Sequence, residues 1–293
     1  MSFLSQGKAA EGPRGAYIIT LCLVIISTLI SGIAANELAG RYLGFSLGGY
    51  PTVQNSTAVL AVQLSPFLIG FMVMLLSVKF IQKQRIRTAF TSRARYDWSR
   101  FFFSFGCWAV FLVLLLIVGS LLGMPIEFQF DLQTFFPLLL VSVLLIPIQT
   151  TAEDLLFRGI LFQGLGQSLK NGLLAVVILG GVFGWLHSGN PEVQILGKGI
   201  LFYYIFSGIF LGLITHFDDG LELSMGYHVA NNLFGALILT NDWQAFQTNA
   251  LFIDHSVPEI GWDLLLTLIV IQPLLLFIFS KVYRWENLRD KLF

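Results

Sequence analysis

The sequence predicts an all-α, polytopic membrane protein, a bundle of about eight transmembrane helices. Mean hydropathy is +0.78, and charged residues make up only 12% of the chain, where soluble domains carry about 25%. The few charges are clustered, so long apolar runs lie between them. A helix crossing the hydrocarbon core needs about 20 residues at a rise of about 1.5 Å each. The runs that meet this requirement are 16–36, 57–80, 101–123, 134–158, 172–188, 199–216, 224–240 and 262–283.

The first run, Ala16 to Ala35, follows Lys8 and Arg14 and so superficially resembles a secretion signal. Such a signal has an apolar core of only about 7–15 residues, so this run reads as the first membrane helix. Helices five and six are short and carry Gly180, Gly181, Gly184, Gly208 and Gly212. Small residues let helices approach closely in lipid, which puts these two at the centre of the bundle. The chain contains no repeat or low-complexity tract. The expected organisation is one membrane domain over 1–293, with a motif-bearing core of about 140–240. Cys22 and Cys107 both lie in apolar runs and read as packing residues.

Charge placement sets the orientation, because Lys and Arg concentrate in cytoplasmic loops. Lys79, Lys83, Arg85, Arg87, Arg93, Arg95 and Arg100 surround the connection after helix two. The C-terminal stretch adds Lys281, Arg284, Arg289 and Lys291. Arg158 and Lys170 flank the connection between helices four and five. With both termini cytoplasmic, only Arg41 and Lys198 fall on the other side, a split of 15 to 2. The overall balance of 17 basic and 17 acidic residues argues against a nucleic-acid partner held by phosphate contacts. The expected location is the cell membrane.

Charged groups inside a bilayer helix are costly and mark function. Three strings contain them or accompany them: Glu153-Asp154-Leu155-Leu156-Phe157-Arg158, Phe183-Gly184-Trp185-Leu186-His187, and His228-Val229-Ala230-Asn231-Asn232. Residues four apart share a helix face. Asp154 therefore pairs with Arg158, Phe183 packs beneath His187, and His228 lies beside Asn232. Glu153 stands about 100° around the axis from Asp154 and is free to point elsewhere. Glu153 and His187 are each 17 residues from Lys170, so a helical hairpin turning there brings both to one depth. His216 and His255 read as solvated bystanders.

Together the strings resemble the motifs of the CAAX protease and bacteriocin-processing family, the Abi family, which includes the Ras-converting prenyl endopeptidases. Its pattern is Glu-Glu-x-x-x-Arg, Phe-x-x-x-His and His-x-x-x-Asn or Asp. Here these read Glu153-Asp154-x-x-x-Arg158, Phe183-x-x-x-His187 and His228-x-x-x-Asn232. The second position is Asp where Glu is usual, and Asp still reaches an Arg one turn on. The resemblance implies an intramembrane endopeptidase acting on a membrane-associated peptide or protein. In the roles it implies, Glu153 is the general base and His187 holds the attacking water or relays its proton. His228 and Asn232 supply the oxyanion hydrogen bonds, while Asp154, Arg158 and Phe183 give structural support.

No Ser or Cys stands beside a base in these strings, so water is the expected nucleophile. Glu153, His187 and His228 form an acceptable zinc set on paper, but no His-Glu-x-x-His occurs. The reading carried forward needs neither metal nor cofactor. The alternatives are a zinc-dependent membrane protease, a proton-coupled transporter, or a non-catalytic scaffold or immunity protein on the same fold. Topology offers a direct test of the spans. Reporters fused after Arg95 and at the C-terminus should read cytoplasmic, and one near Gln247 should read the opposite side. A cytoplasmic signal at Gln247 would overturn the count of eight.

Overall fold

A computed structural model describes residues 2–7, 12, 15–45, 56–286, 288 and 291. Lys8, Arg14 and Arg289, used above for orientation, lie outside the described residues. Lipid offers no hydrogen bonds to the backbone, so each segment crossing it must satisfy its own amides, and a helix does so. Seven helices among the described residues are long and apolar enough to cross. The protein is thus an all-α, multi-pass membrane protein.

A short α1 (Phe3–Gln6) precedes α2 (Ala16–Tyr42), α3 (Ser56–Phe80) and α4 (Trp98–Leu121). Next, α5 (Leu132–Asp154) passes through a wide π turn (Leu155–Leu161) into α6 (Phe162–Leu169), forming one span of 38 residues. The return helix α7 (Gly172–Leu186) is followed by the short α8 (Pro191–Leu196), then α9 (Ile200–Asp218) and α10 (Glu222–Leu237). The last span comprises α11 (Trp262–Leu266), a second π turn (Thr267–Ile271) and α12 (Gln272–Val282).

Two sequence-predicted boundaries move for physical reasons. The fourth helix, drawn to 158, continues to Leu169. There Lys170 adopts a left-handed conformation (φ 54°), and the Asn171 side chain caps α7 by accepting from Leu174 N–H at 2.9 Å. The hairpin turn therefore falls at Lys170, as the spacing predicts. Arg158 is buried inside this helix rather than lying at a connection, so it drops out of the inside charges. The seventh predicted helix, 224–240, is present as α10, but at 16 residues it is about 24 Å long and falls short of the hydrocarbon thickness. Its first nine residues are all buried. It belongs to the interior of the bundle, which is why composition alone marked it as a span.

The Gly-rich pair α7 and α9 packs backbone to backbone. A Cβ on Gly184 would lie 2.5 Å from Ile205 N, and one on Gly180 would lie 2.7 Å from Ile209 N. Gly181, one position from Gly180, faces open space with nothing within 4 Å. At one end of the bundle, Arg93 reaches Asp218 (2.8 Å) and Glu222 (3.0 Å), and Arg100 also pairs with Asp218. At the other end, β3 (Phe252–Asp254) pairs antiparallel with β1 (Ile126–Phe128) and parallel with β2 (Leu239–Thr240). Glu192 of α8 ties into this end by accepting from Ala245 N–H at 2.8 Å, and burial pushes its carboxyl up.

Two side chains differ from their predicted settings. His216 is buried rather than solvated, with its ring against Phe162 and its Nε2 2.8 Å from the Lys291 carbonyl oxygen. Cys22 is exposed on the outer surface of α2, while Cys107 is half-buried.

The close approach of α7 and α9 yields a paired test. Gly184→Ala should destabilise by about 1–3 kcal/mol, the usual scale for forcing atoms into a packed contact. Gly181→Ala, in open space, should leave the thermal midpoint of the detergent-solubilised protein unchanged. Equal effects at the two positions would contradict the packing.

Candidate active site

The first motif straddles the junction between α5 and the π turn. Such widened turns often occur at functional sites. Asp154 is fully buried and pairs with Arg158 at 3.1 Å, as the spacing predicts. The Arg158 guanidinium also donates to Gly208 O at 3.4 Å and lies 4.0 Å from the centre of the Phe183 ring. A cation over an aromatic face is attracted by the ring quadrupole. Phe183 is therefore the common support of the site. Its ring meets Phe157 at 5.5 Å, His187 at 4.7 Å and His228 at 6.2 Å, measured between centroids.

Phe157 and Phe183 each stand 13 residues from Lys170, so their contact shows that the two arms of the hairpin are level. The same alignment carries Glu153 and His187 to one depth, and Glu153, His228 and Arg158 are the charged neighbours of His187. The His187 ring has a fixed tautomer. Helix α7 tightens at its end, so His187 N–H bonds back to Gly184 O. This leaves the Phe183 carbonyl to the ring, with Nδ1 at 2.8 Å. A carbonyl only accepts, so Nδ1 carries the hydrogen and Nε2 presents a lone pair. Tyr204 of α9 stacks on the other face of the ring at 4.4 Å and 20°.

His228 lies between the two carboxylates, its Nδ1 3.3 Å from Asp154 and its Nε2 3.6 Å from Glu153. This corrects the expectation that Glu153 points away from Asp154: both address one imidazole. Asp154 also does more than neutralise Arg158. An ionised carboxylate only accepts, so Asp154 fixes the hydrogen on Nδ1. The buried Asp154 carboxyl thus has two partners, Arg158 on one oxygen and His228 on the other.

Asn232 donates to Gln149 Oε1 at 3.0 Å, and Gln149 Nε2 donates to Glu153 Oε1 at 2.6 Å. Sequence reasoning missed Gln149 and Tyr204. Gln149 had a signal, an amide one turn before Glu153 in an otherwise apolar run. Tyr204 had none, since its relation to His187 exists only through the packing of α7 on α9. For the zinc set, Glu153 and His228 Nε2 are 3.6 Å apart, a spacing two ligands of one ion can have, and an Nδ1 held by a carboxylate is compatible with ligation through Nε2. Among the described residues, however, no three His, Cys, Asp or Glu form a group that could hold a metal ion.

Residues 132–234, which hold α5 to α9, most of α10 and all three motifs, match the family described as type II CAAX prenyl endopeptidase Rce1-like. The resemblance read from the motifs is borne out over that stretch, and the family is one of membrane proteases. The uncharacterized protein YyaK of Bacillus subtilis (strain 168) is 33% identical over 168 residues, covering 56% of each chain. The chain thus spans about half the length of the curated relative it matches. No solved structure matches.

The buried ion pair can be tested without an activity assay. Arg158→Ala leaves Asp154 buried beside His228 alone. Removing one partner of such a pair costs about 3–5 kcal/mol, so yield and thermal midpoint in detergent should fall sharply. A wild-type midpoint for Arg158→Ala would show that Asp154 does not depend on it.

Proposed function

We propose that this chain is an intramembrane endopeptidase that hydrolyses a peptide bond of a membrane-associated substrate with a Glu-activated water. The observation that supports this best is the His228 ring held between Glu153 at 3.6 Å and Asp154 at 3.3 Å, inside a membrane helix bundle. Ionisable clusters are placed there at a cost and are kept for chemistry.

In this mechanism water binds between Glu153 Oε2 and the lone pair on His187 Nε2. Glu153 takes one proton from the water, and the oxygen attacks the scissile carbonyl carbon. Negative charge then develops on the carbonyl oxygen. His228 Nε2–H and the remaining Asn232 Nδ2–H donate to that oxygen. As the C–N bond breaks, Glu153 returns the proton to the leaving nitrogen, giving a carboxylic acid and an amine. Asp154 orients His228 while Arg158 and Phe183 hold Asp154. Each of these roles calls for a side chain that the site supplies, and none calls for a metal. We further propose a single membrane domain with both termini cytoplasmic, supported by the remaining charges at the Arg93 end.

Two variants and a chelator test the assignment. Membranes containing wild-type protein or Glu153→Gln should be compared by labelling of newly formed peptide N-termini. Fragments seen with wild type should vanish with Glu153→Gln, which keeps volume and insertion. Asn232→Ala should retain KM and lose on the order of 10²–10³ in kcat, the usual cost of one oxyanion donor. Hydrolysis should survive a strong chelator. Identical fragments with and without Glu153 would favour a scaffold or transporter. Loss on chelation with recovery on added zinc would favour the metal reading.

A further inference from the structure

Trp108 of α4 is almost fully buried, and its indole N–H donates to Asn231 Oδ1 at 3.2 Å. An indole only donates, so this oxygen is committed and the Asn231 amide nitrogen must face the other way. There it donates to Asn232 Oδ1 at 3.2 Å. Asn232 Nδ2 donates to Gln149 Oε1 at 3.0 Å, and Gln149 Nε2 donates to Glu153 Oε1 at 2.6 Å. Four hydrogen bonds thus run head to tail from α4 through α10 to α5. One end is a group that can only donate, and the other is a carboxylate that accepts. Both ends demand the same direction, so no amide between them can flip without setting donor against donor or acceptor against acceptor.

We propose that Gln149, Asn231 and Trp108 are positioning residues that aim the proposed machinery through this directed amide chain. The inference rests on the reading of Glu153 as base and Asn232 as oxyanion donor. The chain divides the work of Glu153 between its oxygens: Oε1 is anchored by Gln149, and Oε2 is left to face His228 and the water. It also settles the Asn232 amide. One N–H is spent on Gln149 and the carbonyl on Asn231, so one N–H is left, in a fixed direction, for the reacting carbonyl. Hydrogen bonds in series polarise one another, so the indole adds to the donor strength at Gln149 although it lies three amides from the carboxylate. Gln149 shares a helix face with Glu153, and Asn231 adjoins Asn232. Neither reveals its role without the contact across α5, α10 and α4.

The test uses the full-length purified protein and a peptide whose cleavage depends on Glu153. Gln149→Met keeps the shape and removes both polar ends. It should lower kcat on the order of 10², the scale of misplacing a reacting group by about 1 Å, while KM changes by less than about twofold. Trp108→Phe should lower kcat less. The double variant should be no slower than Gln149→Met alone, because each change breaks the same chain and independent sites would multiply. Such non-additivity between residues that do not touch is not expected of two separate packing defects. Should Gln149→Met fail to insert, Gln149→Leu with Trp108→Phe provides the same cycle. Wild-type kcat in Gln149→Met, or multiplicative effects in either cycle, overturns the chain while Glu153→Gln stays inactive. An active Glu153→Gln overturns the underlying reading, and the inference with it.

Discussion

The constraint on which the rest of the structure depends is the need to keep charge balanced where no water can reach it. Asp154 is completely buried and Arg158 nearly so. Neither could remain in that place without the other, and Asp154 makes its second contact with His228. The arginine in turn needs a carbonyl and an aromatic face, which Gly208 and Phe183 supply. Because those two residues sit on α9 and α7, the ion pair dictates that both helices come close to α5. The Gly-rich contact between α7 and α9 is therefore part of the same requirement. Bulkier residues at Gly180 or Gly184 would push the helices apart and move Phe183 off the guanidinium.

The site that results is built in layers around His228. Nearest are the two carboxylates, which hold opposite sides of one imidazole. Behind Asp154 stands Arg158, behind Arg158 stands Phe183, and the same phenylalanine supports His187. A substitution at Phe183 would thus disturb two histidines and an arginine at once, although its side chain has no ionisable group. Around Glu153 the support is of another kind, a set of uncharged amides. Charge fixes one side of the site and hydrogen-bond direction fixes the other.

Much of this was legible in the sequence because its signals are local. Apolar runs gave the spans, and i to i+4 spacing gave Asp154 with Arg158 and Phe183 with His187. Equal distances of 17 residues from Lys170 gave the alignment of Glu153 with His187. What was not legible depends on contacts between helices distant in sequence. Gln149 and Tyr204 gain their meaning from α10 and α9, and the exposure of Cys22 depends on which face of α2 is left uncovered. Arg158 was placed at a connection because hydropathy treats every charge as a boundary and takes no account of a buried partner. His216 was misjudged for a similar reason, since the side chains that cover it come from α6 and the C-terminal stretch. The shortness of α10 escaped notice because burial by protein and burial by lipid favour the same composition.

The π turn between Asp154 and Phe162 has a consequence for the whole helix. A turn closed by i to i+5 bonds holds about one residue more than an α turn, so the helix after it is rotated relative to a straight continuation. The upstream part must aim Glu153 and Asp154 at His228. The downstream part must present Gln163 to Thr88 O at 2.8 Å and to Gln84 at 3.0 Å. A uniform α-helix would fix both directions by a single angular phase, and each demand would constrain the other. With the wide turn between them the two halves are geared separately. The contacts of α6 with Thr88 and Gln84 can drift in sequence without turning the carboxylates away from the imidazole.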